Sequence, residues 1–296
     1  MANVMSTERR NSMLRLIVEG NSIRSVTRLM GTNIRCVLRQ LVWAGRHCEN
    51  LMNERFHGLT LRHLECDEIW TFVQKKQARL TTEEREERHD IGDVYLWTAL
   101  DQDTRLIAAH VLGKRTGDTA RRFMMRLFNR MEIPNPFQAD DHAFKQRAFQ
   151  RITQISTDAF PAYPEAVDLA FGPYAKFGTL TKDYRNTEAP GRYSPGEIVG
   201  TIRRAVFGMN DNELDSICTS HVERHNLTIR TFMKRFTRLA LGFSKKLENL
   251  EAACNLFLAY YNFCWRPGKM RVTPAMKAGI TNSLWSFNQL LEGSQA

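Results

Sequence analysis

No apolar run in this 296-residue chain approaches the ~20 residues that span a bilayer, so no membrane helix is expected. The opening MANVMSTERRNSML has no apolar stretch leading to a small-residue cleavage site, which points away from a secretory leader and toward the cytosol. Cysteine is sparse and scattered: Cys36, Cys48, Cys66, Cys218, Cys254 and Cys264 form no C-x-x-C pair and no Cys/His spacing of a zinc site. They read as reduced, mostly packed thiols, and a structural zinc is not expected. Acid is in deficit, with 32 Asp+Glu against 42 Lys+Arg and a net charge of +10. That balance favours a polyanionic partner, nucleic acid first. A hydrophobic share of 43% supports a real core, so disorder is not the expected class, and the length suits one large domain or a small one joined to a larger.

What is present begins with helices. From Thr7, Met13, Leu14, Ile17 and Val18 fall on one face, and Gly20 ends the segment. Ser22 is a plausible cap for a second helix with Ile23, Val26 and Met30 as its stripe and Gly31 at its end. Thr32 is expected to cap a third, in which Ile34, Val37, Leu38 and Leu41 point inward before Gly45. Three short helices with a glycine turn between the last two have the layout of a helix-turn-helix, whose outward Asn33, Arg35 and Arg39 suit base edges and phosphates. A small helical bundle with a solvated basic face has the same pattern.

Strands are expected in "LRHLECDEIWTFV", "DVYLWTALD" and "RLIAAHVLG", the last two joined by a tight "DQDT" turn, as an antiparallel start. The charged "QKKQARLTTEEREERHD" between the first two reads as a solvated hairpin extension. "TGDTARRFMMRLFNRM" reads as a helix capped by Thr116 or Asp118, and "EIPNPFQADDHAFKQRAF" breaks regular structure. "ITQIST" is a short strand ending at Asp158, a position that suits either chemistry at a strand mouth or a turn-forming Asp. "AKFGTLTK" is a weaker strand, "DYRNTEAPGRYSPGEI" a polar loop, and "TIRRAVFGMNDNELDSI" has no clear assignment.

From Thr219 to Phe263 the chain reads mainly as helix with a break around Gly242. Between Glu223 and Lys246 it holds one acid, Glu223, among Arg224, Arg230, Lys234, Arg235, Arg238, Lys245 and Lys246. Helical spacing puts Glu223, Asn226 and Arg230 on one face. A solvated basic face is the bland alternative, and Tyr260, Tyr261, Phe263 and Trp265 read as core more readily than as a base-stacking platform.

Acids in this order (one inside a first strand, one ending a later strand, one on a basic helix) form the pattern of a site for two hard cations. The segments "DEIWTFVQKK", "STDAFPAY", "TSHVERHNLTIRTFMKRFTRLALGFSKKLENL", "YYNFCWRP" and "RVTPAMKAGI" resemble the DDE-type transposases of bacterial insertion sequences, in particular those grouped with insertion sequence one. The resemblance spans about Leu61 to Trp285, and "VERHNLTIR" with "FSKKLEN" is its most specific part.

The resemblance implies an α/β fold: a ribonuclease-H-like mixed sheet with flanking helices, preceded by a small all-α helix-turn-helix domain. The expected division is residues 1–50 for the helix-turn-helix, 61–265 for the catalytic domain and 266–296 for a C-terminal extension. Asp67, Asp158 and Glu223 are implied as ligands of two Mg²⁺ ions, with Mn²⁺ able to substitute, and Arg230 matches a basic residue seven positions after the Glu. Asn33, Arg35, Arg39, Arg224, Asn226, Lys234, Arg235 and Arg238 are the candidate DNA contacts. The implied activity is strand cleavage at transposon ends and 3′-OH transfer into target DNA. Its partners would be double-stranded DNA and a second copy of the chain, at the nucleoid when bound. A DNA-binding regulator with an inactive catalytic region, and a nuclease that cuts without joining, are the alternatives. Along "LECDEIWTFV", strand alternation puts Glu65 and Asp67 on one face and Glu68 on the other, so the three carboxylates are not expected to serve one site.

Overall fold

The computed structural model describes residues 5–133, 153–185, 197–237 and 240–292. Helix α1 (Thr7–Val18) is capped by Ser6, and α2 (Ile23–Met30) by Ser22, with Gly31 in the left-handed conformation at its end. Helix α3 (Ile34–Arg55) departs from expectation at both ends. Its N-cap is Asn33, not Thr32, with the Asn33 side chain accepting the Cys36 N–H at 2.8 Å. Ile34, in the first turn, is exposed, and the helix runs on through Gly45.

Strand β1 (His63–Val73) leads to a short α4 (Thr82–Glu87) and then to β2 (Gly92–Asp101) and β3 (Ile107–Gly113). Helix α5 (Gly117–Phe128) is capped by Thr116 as expected, and β4 (Thr153–Thr157) follows. Next come α6 (Tyr163–Phe171), β5 (Ala175–Arg185) and β6 (Glu197–Phe207). The stretch without a sequence assignment is thus β6 followed by a 3₁₀ turn at Asp211–Ser216. Helix α7 (Ser220–Phe232), α8 (Leu247–Phe263), α9 (Pro274–Lys277) and α10 (Phe287–Glu292) complete the chain. The expected long helix therefore breaks after Phe232, ten residues before Gly242, so Lys234 and Arg235 lie beyond its end. Most of the segments "EIPNPFQADDHAFKQRAF" and "DYRNTEAPGRYSPGEI", and Arg238, lie outside the described residues.

The strands form one six-stranded sheet in the order β3-β2-β1-β4-β5-β6. The first three pair antiparallel, β1 with β4 and β4 with β5 pair parallel, and β6 returns antiparallel to β5. This is a mixed sheet with flanking helices, as the resemblance implies. Parallel β1 and β4 need a crossover, and α5 provides part of it. The order puts β1 and β4 side by side at the centre.

One hydrophobic core runs from Met13 on α1 to Leu291 on α10. Helix α3 packs along α8 so closely that a Cβ on Gly45 would lie 2.3 Å from the Ala252 Cα. Glycine at position 45 therefore serves contact, not helix termination. The last segment joins the same core, with Trp285 stacked on Phe263 at a ring separation of 4.6 Å. No helix among the described residues is long and apolar enough to cross a membrane.

Candidate active site

The parallel register sets Leu64 beside Ile155 and Glu65 beside Ser156. Two residues further along, β1 carries Asp67, while Asp158 follows the last residue of β4. Ligands of open α/β sheets gather at such carboxyl ends of parallel strands. Asp67 is held on both oxygens: Oδ1 accepts the Glu68 N–H at 2.8 Å, and Oδ2 accepts Asn226 Nδ2 at 2.8 Å. Asp158 Oδ1 accepts the Phe160 N–H at 3.0 Å, leaving Oδ2 to Arg115 at 2.8 Å.

Helix α7 crosses this end of the sheet and brings the third acid. Glu223 pairs with Lys182 of β5 and accepts the Thr219 hydroxyl at 2.7 Å. Asn226, one turn on, is buried against Asp67. Arg230, in the last turn, is half-buried, and its carbonyl accepts the Thr237 hydroxyl at 2.8 Å.

Glu68 corrects the reading of the first strand. Its side chain is 2% exposed, and Asp67, Glu68 and Asp158 each offer an oxygen within 4.8 Å of the others. Alternation does point Glu68 from the face opposite Asp67. Asp158, however, lies past the end of its strand, where alternation no longer assigns a face. Arg115, between β3 and α5, ties the two together by donating Nε to Glu68 at 3.1 Å and Nη2 to Asp158 at 2.8 Å. The remaining Glu68 oxygen, Oε1, is buried, and the buried Tyr163 phenol bears on the same carboxylate.

So much carboxylate in a small volume is reflected in its protonation. Burial, then the charges of Asp158 and Glu223, push Asp67 up to about 6 against the short bond from the Glu68 N–H. Burial and the Asp158 charge push Glu68 up to about 7. The buried Tyr163 phenol and Cys66 thiol beside them are driven well above their ordinary values by the same burial. This is a cluster of three carboxylates with an all-oxygen donor set and a single guanidinium between two of them. It fits a hard divalent cation such as Mg²⁺ or Mn²⁺, with Asp67, Glu68 and Asp158 as the holders nearest one another.

Glu65 has a separate role. It is buried, and its Oε2 accepts the N–H groups of His221 and Val222 at 2.8 and 3.0 Å, capping the first turn of α7 from β1.

The candidate DNA contacts are dispersed. Asn33, Arg35 and Arg39 are exposed at the start of α3, with the Asn33 side chain engaged as a cap. Arg224 is exposed on α7 and Lys234 is exposed just beyond it. Arg235 is half-buried, with Nε on the Ser244 hydroxyl at 2.9 Å. Sequence reasoning missed Glu68, Arg115 and Lys182 as site residues. Adjacent acids in a core strand were the signal for the first, whereas the other two reach the site only through tertiary approach.

Clustered acids at neighbouring strand ends of the mixed sheet, with Glu223 on α7 beside them, make up the candidate site. Residues 91–161, a segment that includes Asp158, match a family model described as a DDE domain. No curated protein matches the sequence. Among solved structures, the chain is similar to a pre-cleavage Mos1 transpososome at 12% identity, over 60% of this chain and 61% of that one, with a TM-score of 0.23. It is similar also to the Mos1 mariner paired end complex with Mn, at 12% identity over 58% and 59% of the two chains, TM-score 0.21. The chain spans no more than 61% of either protein.

Proposed function

We propose that this chain is a transposase that cleaves DNA at the ends of its element and joins the freed 3′-OH to target DNA. The observation that carries the reading is the gathering of Asp67, Asp158 and Glu223 from three separate elements around the end of β4, with Asn226 on Asp67. Two Mg²⁺ or Mn²⁺ ions held there would supply a lowered water pKa and charge stabilisation for in-line phosphoryl transfer.

The protein's own groups do the rest. Asn226 orients the Asp67 carboxylate so that its oxygens face the site in one arrangement. Arg115 and Lys182 neutralise the acids, and both cations stand within reach of a phosphate bound at the same place. The exposed Arg35 and Arg39, with Asn33 at the start of α3, form the surface for duplex DNA in a helix-turn-helix built from residues 1–50. Arg224, Lys234 and Arg230 extend basic character along the end of α7. Two ends brought together call for at least a dimer.

Product analysis tests the reading. A duplex carrying the element's own ends, incubated with Mn²⁺, is expected to yield 3′-OH nicks and then joined products, both lost in Asp158→Asn. Nicks without joined products would favour a ribonuclease-H-like nuclease. DNA binding with neither product would favour a regulator.

A further inference from the structure

A cavity of about 740 Å³ opens beside α7, bounded by that helix, by the turn between β2 and β3, and by the segment following α8. Three elements each send it a cation: Arg224 from α7, Arg105 from the turn and Lys269 from the C-terminal segment. None of the residues lining it is acidic. One wall is aromatic, formed by Phe232, Tyr261 and Trp265, with Phe232 and Trp265 edge to face at 4.6 Å.

Two polar atoms of its lining are left over. His225 is 3% exposed, and its Nε2 has no hydrogen-bond partner among the described residues; the same holds for Arg105 Nη1. Buried donors and acceptors are nearly always satisfied, so two unmet groups on residues of one cavity are a polar requirement that its walls do not meet by themselves.

We propose that this cavity binds a single nucleotide unit, with the phosphate among Arg105, Arg224 and Lys269 and the base against the wall of Tyr261 and Trp265. The proposal rests on the DNA reading above. An inorganic anion would leave the aromatic wall empty, and an apolar ligand would leave three cations uncompensated. The volume falls in the range of sites that enclose small ligands. The nucleotide can come free from solution or as an unstacked unit of a DNA strand.

The test uses wild type, Lys269→Glu and Leu227→Trp, the last placing bulk on the rim at a residue that is 53% exposed. Each is titrated with dAMP, with deoxyadenosine, and with two labelled duplexes, one blunt and one with a short unpaired end. Binding of dAMP but not deoxyadenosine, weakened in both variants, supports a site open to free nucleotide. No dAMP binding, but roughly tenfold tighter binding of the unpaired end than of the blunt duplex, supports a strand-borne unit, provided both variants erase the preference. No dAMP binding with equal duplex affinities, or affinities unchanged in both variants, overturns the proposal. Mn²⁺-dependent nicking is scored on the same wild-type preparation. Nicking without cavity binding removes the cavity alone, and cavity binding without nicking removes the cleavage reading alone.

Discussion

The buried Glu65 carboxylate grips His221 twice, accepting its backbone N–H at 2.8 Å on Oε2 and facing its ring Nδ1 at 2.6 Å with Oε1. Thr219, the N-cap residue of α7, makes no capping bond of its own and instead donates its hydroxyl to Glu223. The start of α7 is thus anchored from β1, two residues before Glu223. Position of the third acid depends on a residue two steps from the first.

Glu65→Ala should therefore destabilise the fold by about 3 kcal/mol, because two buried N–H groups lose their acceptor at ~1–3 kcal/mol each. Glu65→Gln, which keeps one acceptor oxygen, should lose less. Urea midpoints at constant slope measure both, and an Ala variant as stable as wild type would contradict the anchoring role.

Asp67 and Glu68 make stability depend on pH and on metal. Their folded values of about 6 and about 7 lie above the ordinary 3.8 and 4.5. A raised carboxyl contributes stability that is complete below its unfolded value and is lost as pH rises through the folded one. In the absence of divalent ions, the melting temperature should fall between about pH 4 and 8 through these two groups, an interval that runs from near their ordinary values to just above their folded ones. Asp67→Asn should flatten that fall, and saturating Mn²⁺ should reverse it at pH 8. Thermal melts across pH, with and without Mn²⁺, provide the comparison, and a metal-independent profile would count against a cation at this site.

Gly45→Val places a branched side chain where a Cβ alone meets the Ala252 backbone at 2.3 Å. Overpacking of that kind costs roughly 1–3 kcal/mol or forces α3 from α8. Loss of urea stability together with protease sensitivity near α3 is expected. Wild-type behaviour would mean that α3 and α8 do not meet at this position.

Arg35→Ala and Arg39→Ala should each weaken duplex binding across sequences and lower the slope of log affinity against log salt by roughly 1, if each contacts a phosphate. Anisotropy titrations over a salt series give that slope directly, and unchanged slopes in both variants would remove α3 from the DNA surface.

Much of the fold was legible because period and punctuation agree. Ser6 aside, the α1 and α2 boundaries follow from Met13, Leu14, Ile17 and Val18, from Ser22 and from Gly31, all placed as the pattern demands. The central strands announce themselves by β-branched and aromatic residues. Gly45 misled because a mid-helix glycine chosen for close packing looks, in sequence, like one chosen to end a helix. Glu68 was assigned away from the site because alternation describes strand faces, whereas Asp158 lies beyond a strand end where that rule no longer applies. Arg115 and Lys182 could not be read at all, since nothing local marks a basic residue that will meet an acid from a distant element.

The most direct measurement is strand nicking by wild type, Asp67→Asn, Asp158→Asn and Glu223→Gln on one end-bearing duplex, with Mg²⁺ or Mn²⁺, each variant first shown to be folded by circular dichroism. Wild type should nick only with divalent metal, and each variant should fall by about 100-fold or more, as expected when a group stabilising a transition state is removed. Nicking by Asp158→Asn at the wild-type rate would contradict the assignment of these acids as the reaction centre.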